Sequence, residues 1–177
     1  MKLRELKDVY TDEDRIKVIA NLVYEGSISP KIRALTHRIL DEAGVYGGME
    51  DMAKPKHQFA ELEAVFNWVR DNITYRNDPY GTDAFHTAER ILSMGSADCD
   101  DMTILLDSML ASIGWRVGAR IVSSDANKPF HHIYSIAVFP KAADLKKARL
   151  VAMDPTVKYF RVGDQVPFAK KRDFLFL

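Results

Sequence analysis

The chain has 177 residues, balanced charge (25 Lys and Arg against 25 Asp and Glu), 47% hydrophobic side chains and a single cysteine. Such a chain can bury a core unaided as one compact domain, and its neutrality gives no overall attraction for nucleic acid or for an anionic membrane surface. One cysteine excludes an intramolecular disulfide scaffold, and no run reaches the ~18 apolar residues of a membrane span.

In chain order, MKLRELKDVYTDEDRIK lacks the apolar stretch of a secretion signal, so a soluble protein is expected, in the cytoplasm or in a virus particle. Ile16, Ile19, Ala20 and Val23 recur at helical spacing over 12–25, and Gly26 ends the run. Ser29-Pro30 is a cap followed by proline at the first helical position, and Ile32, Leu35, Ile39 and Leu40 carry a second helix toward Gly44. Glycine and proline punctuate 44–56 as a loop. Over 57–71, Phe59, Leu62, Val65, Phe66 and Val69 predict an amphipathic helix. ITYRNDPYGTDAFH is irregular and of a length suited to a cleft wall. TAERILSM is a short helix, and Asp100 to Ile113 a longer one closed by Gly114. Beyond it the period changes to two. WRVGARIVSS predicts a half-buried strand, HHIYSIAVF and ARLVAMD two more, and the tail from Val157 short further strands. Helices followed by an antiparallel sheet make an α+β fold, with 1–56 as a helical segment on or over a core at 57–177.

Chemistry concentrates at SADCDDMTILL (96–106), where the lone thiol sits among Asp98, Asp100 and Asp101. At a helix start, unpartnered N–H groups and the helix dipole favour thiolate. Asp98 or Asp100 suits a cap and Asp101 the first turn, which would make the acids structural. The alternative is a cysteine buried as a small apolar filler.

Five histidines are available as partners. His37 and His57 fall in surface-like helical pattern, and His86 in the irregular loop. His131 and His132 alternate faces on a strand; His132 shares its face with Tyr134, Ile136 and Val138. Asp154 ends the next strand in MDPT, and pairing of the two strands would bring it to His132. Cysteine, histidine and aspartate in that order suit a nucleophile, a base and an orienting acid. A mixed metal site using Cys99, Asp98 or Asp100, and His131 or His132 is a rival, although the spacing lacks a compact chelating pair.

D-C-D-D leading into a helix that ends Ile-Gly, then His-Ile-Tyr on a strand, then D-P-T after another, resembles the transglutaminase-like superfamily from about Phe66 to Thr156. NWVRDNITY (67–75) resembles the segment that precedes the family's cysteine helix, whereas Ala97 and Ser135-Ile136-Ala137-Val138 depart from its usual pattern. The resemblance implies a papain-like core with Cys99 as nucleophile, His132 as base, preferred to His131 because Ile133-Tyr134 follow it, and Asp154 as orienting acid. It implies thiol acyl transfer without a cofactor on a protein or peptide substrate. Hydrolysis by a peptidase or amidase is favoured; cross-linking to a lysine amine and a non-catalytic structural or adaptor role, as in a phage particle with self-association or structural partners, are the alternatives. Trp68, Tyr75 and Tyr80 are candidates for a second oxyanion donor beside the Cys99 N–H, and His131 for the cleft wall.

Overall fold

The structure is a computed structural model that describes residues 11–46, 54–77, 84–141 and 144–176. Tyr80 and most of the loop expected at 44–56 lie outside the described residues.

Four of the five described helices begin at a side chain that accepts from a free N–H group of the first turn. α1 (Asp12–Ser27) starts with the Asp14 N–H donating to Thr11 Oγ1 at 3.1 Å, and three acids fill its first turn. α2 (Pro30–Glu42) is capped by Ser29, whose Oγ accepts from the Ile32 N–H at 3.3 Å. α3 (Pro55–Asn72) opens on proline, and α4 (Ala88–Met94) on a Thr87 cap. α4 closes at Gly95, where φ of 66° needs a residue without a side chain. The fifth helix, α5 (Cys99–Ser112), is capped by Asp98, whose Oδ1 accepts from the Asp101 N–H at 3.0 Å.

α5 is the centre of the molecule. Every residue in it except Cys99 and Ala111 is buried, and α1, α2, α3, α4 and β-sheet all pack against it. A helix apolar on all sides must be enclosed, and MTILL together with MLA supplies that surface. Its closest approach is to α1. A Cβ on Gly26 would lie 2.6 Å from the Ser108 Cβ, so only glycine lets the two helices meet there.

Two short strands, β1 (Thr74–Tyr75) and β2 (Ser96–Ala97), pair in parallel beside the start of α5, a pairing the sequence pattern did not announce. The main sheet contains β3 (Val117–Ser123), β4 (His132–Phe139), β5 (Arg149–Met153) and β6 (Lys170–Leu175) in the antiparallel order β5-β4-β3-β6. β6 comes from the tail, where short strands were expected.

The sheet corrects two expectations. β3 is buried at every position rather than on one face. Ala119, Ile121, Ile133 and Ala137 join the core against the helices, whereas Val122, Tyr134 and Ala152 are covered from the other side by Val166 and Phe168 of the tail. On that second side Arg120 donates to both oxygens of Asp173, at 2.6 and 2.8 Å, and this fork holds β6 in register with β3. The second correction concerns His131, which is exposed and precedes β4 instead of standing within it. Its N–H donates to Val122 O at 3.1 Å. Among the described residues no helix is long and apolar enough to cross a membrane.

Candidate active site

The cap that starts α5 also places its first residue, Cys99, beside the first turn of β4. The backbone N–H groups of Ile133 and Asp100 favour charge on the Cys99 sulfur. Cys99 and His132 line one cavity of about 90 Å³. The His132 Nε2 donates to Asp154 Oδ2 at 2.8 Å, which leaves Nδ1 as the ring nitrogen Asp154 does not hold. Asp154 has no solvent exposure, and His132 retains 15%.

The D-P-T sequence explains why Asp154 stays in place. Its Oδ1 accepts from the Thr156 N–H at 3.2 Å and from Thr156 Oγ1 at 2.6 Å, so one oxygen is tied to the turn while the other faces the imidazole. β4 and β5 pair as neighbours, with Ser135 opposite Met153, and Asp154 follows one residue beyond that last pair. The strand pairing that the sequence suggested is therefore the element that unites His132 with Asp154.

Each acid around the thiol has a structural partner. Asp98 caps α5. Asp100 accepts from Arg15 of α1 at 2.9 Å. Asp101 accepts twice from His86, from its N–H at 2.9 Å and from its Nδ1 at 2.6 Å, and so fastens the 84–87 segment to the start of α5. His86 is thus a half-buried clamp.

Electrostatics at the sulfur run against the expected thiolate. Burial pushes the Cys99 thiol well above its ordinary value, and Asp100 and Asp98 push it further; the two N–H groups offset only part of this. The helix-start contribution is present but smaller than desolvation. Burial and the neighbouring acids together disfavour a resting thiolate.

The other candidates separate clearly. Tyr75 lies within the electrostatic reach of the thiol: burial raises its phenol to about 12, with Cys99, Asp98, Asp154 and Asp100 adding to the shift. Its hydroxyl donates to Asn77 Oδ1 at 2.7 Å. Trp68 packs against the hydrophobic core and does not line the cavity. His131 does line it. His37 is exposed, but the His57 Nε2 is buried without a hydrogen-bond partner among the described residues, contrary to the solvated position expected for it. Among the described residues no three His, Cys, Asp or Glu side chains gather as a metal site would require, so the rival metal arrangement does not form there.

A family model for the transglutaminase-like superfamily matches residues 49–155, more than half of the chain. The chain belongs to the transglutaminase-like superfamily. The match begins earlier than the resemblance read from Phe66 onward and ends within the same D-P-T turn. No curated protein matches the chain. Among solved structures, a candidate protease from Parabacteroides distasonis aligns with a TM-score of 0.50 at 12% identity, over 78% of this chain and 29% of that one. A candidate cysteine protease from Cytophaga hutchinsonii aligns at 0.44 and 15% identity, over 88% of this chain and 46% of that one. LapG of Legionella pneumophila aligns at 0.44 and 16% identity, over 83% and 73%. The chain thus spans less than half the length of the first two.

Within this transglutaminase-like fold, the sequence reading missed the contributions of α1. Asp12, Arg15, Ile16 and Ile19 line the cavity opposite Cys99, and Phe130 closes another side. Their helical spacing marked Ile16 and Ile19 as core, and no local motif distinguishes a core face that ends at a cleft.

Proposed function

We propose that this protein is a thiol-dependent acyl-transfer enzyme that hydrolyses an amide bond in a protein or peptide, with Cys99 as nucleophile, His132 as base and Asp154 as orienting acid. The observation that carries this reading is one cavity lined by both Cys99 and His132, with the imidazole held by Asp154 at 2.8 Å.

Because burial and the neighbouring acids disfavour a resting thiolate, proton transfer accompanies attack. The His132 Nδ1 takes the Sγ proton as the sulfur bonds to the carbonyl carbon, forming a tetrahedral intermediate. Asp154 favours the ring orientation and stabilises the imidazolium. As the C–N bond breaks, His132 returns the proton to the leaving amine, and an acyl thioester remains on Cys99. Water then loses a proton to His132, adds to the thioester carbonyl and expels the sulfur, which recovers that proton; the products are an amine and a carboxylic acid. The Cys99 N–H, at the free end of α5, is one oxyanion donor. Tyr75 is the candidate for a second donor, for which its hydroxyl would have to turn from Asn77 Oδ1.

Incubation of the full chain with a peptide mixture, followed by mass spectrometry of the products, tests the reading. The wild type is expected to generate new carboxyl termini, and Cys99→Ala none. Asp154→Asn should lower kcat by about 10²–10⁴, as loss of an orienting carboxylate does in comparable triads. Identical products from wild type and Cys99→Ala would refute hydrolysis by this site; a non-catalytic scaffold would then be the better reading.

A further inference from the structure

Helix α1 takes no part in the chemistry proposed above, yet it walls the cavity where that chemistry would occur. Ile16 and Ile19 reach in from α1, Ile121 from β3 and Ile133 from β4; their exposures of 7%, 1%, 6% and 4% mark them as the floor. Arg15, 36% exposed and paired with Asp100, stands at the mouth. This wall belongs to the fold. The Arg15–Asp100 pair fixes α1 beside Cys99, and the Gly26–Ser108 approach fixes it at the far end. A helix merely laid over the cleft would need neither.

We propose that this cavity is the acyl-side specificity pocket, that it accepts a branched aliphatic side chain of valine to leucine size, and that Ile16 of α1 sets the limit. The inference rests on the thiol acyl-transfer reading. Cys99 and four isoleucines line the same cavity, with Asp12, Arg15 and Asp100 on its polar side, so an acyl group bonded to the sulfur would have apolar surface within reach of its side chain. A cavity of roughly 150 Å³ with an apolar lining is known to hold benzene. This one, at about 90 Å³ and open to solvent, matches a few methyl and methylene groups better than an aromatic ring. Removing one or two carbons from a well-fitted apolar side chain typically changes discrimination by about 10–200-fold.

The test uses the full chain and the 4-nitrophenyl esters of N-acetyl-glycine, N-acetyl-leucine and N-acetyl-phenylalanine, with kcat/KM for each and mass spectrometry of the acylated Cys99. The leucine ester is expected to exceed the other two by about tenfold or more. Ile16→Ala should raise the phenylalanine-to-leucine ratio by about tenfold, and Ile16→Val, a milder change should the first variant not fold, should move it in the same direction. The wild-type ranking stands even without either variant. Cys99-dependent turnover of all three esters within about threefold of one another would overturn the pocket and leave the acyl-transfer reading intact. So would a wild-type preference for phenylalanine, or a ratio unmoved in a folded Ile16 variant. Failure of every ester to acylate Cys99 would overturn both.

Discussion

Three carboxylates beside a thiol proposed as a nucleophile look self-defeating until their partners are traced. Asp98 holds the helix start, Asp100 holds α1 and Asp101 holds His86, so each acid serves packing while raising the cost of a thiolate. A fourth acid on the same helix has no such employment. Asp107 is fully buried, neither of its oxygens has a well-aligned hydrogen bond among the described residues, and the nearby Ser135 hydroxyl is likewise unpartnered. Burial pushes its carboxyl well above the ordinary range, with Ser135 easing the charge slightly. A carboxyl raised in the folded state favours folding fully only below its unfolded value; as pH rises past that value, the unfolded chain ionises first and stability falls. Asp107→Asn should therefore be more stable than the wild type at neutral pH. The gap should close near pH 4 and widen by up to about 1.4 kcal/mol per pH unit until the native carboxyl ionises. Urea unfolding at several pH values measures it, and a constant gap would contradict the account. In the sequence, Asp107 reads as a polar break in an apolar helix. Only the packing of five elements around α5 reveals that no face was left for water.

At the scale of elements, α5 acts through its neighbours as much as through its own residues. The cap at Ser29 and the glycine stop at Gly114 were read from the sequence, because each is a local signal; the caps at Thr11 and Thr87 and the stop at Gly95 are equally local and went unread. The α1–α5 contact was not legible, since it depends on a glycine at position 26 meeting a serine at position 108. Gly26→Ala gains helix propensity of up to about 1 kcal/mol, but its methyl collides with Ser108, and overpacking of this kind costs about 1–3 kcal/mol. A net loss and a lower melting temperature are expected. A higher melting temperature would mean that α1 sits further from α5 than described. A second contact across elements joins α3 to the end of the sheet: buried Glu61 accepts from Trp115 Nε1 at 2.8 Å and from Lys141 Nζ at 2.9 Å. Glu61→Ala strips the partner from both donors and should cost about 3 kcal/mol in thermal or urea unfolding, as breaking a buried pair does; no measurable loss would show the pair to be dispensable.

For the molecule as a whole, the α+β organisation followed from the switch in periodicity after Gly114, which is a local signal. Coverage of the sheet on both faces did not follow, because Val166 and Phe168 lie in a tail without strong periodicity and find Tyr134 only in three dimensions. His132 and Asp154 were readable as a pair because adjacent strands brought them together, whereas the α1 wall of the cavity came from a distant segment with no motif. Tyr134, enclosed in this second layer, has its phenol raised to about 12, chiefly by burial, and Tyr75 is raised similarly. The stabilising contribution of Tyr134, which is fully buried, is complete below the ordinary phenol value of about 10 and is lost as pH climbs from about 10 toward about 12. Unfolding free energy should fall across that window, and Tyr134→Phe should fall less steeply. Equal slopes for the two proteins would contradict the buried phenol.

The central claim is that His132 serves as the base for a thiol that is neutral at rest, and the pH dependence of Cys99 alkylation by iodoacetamide tests it most directly. In the wild type the rate should climb with pH through neutrality, without the acidic plateau of a preformed thiolate–imidazolium pair, and His132→Ala should be slower throughout the neutral range. Superimposable profiles for the two proteins would contradict it.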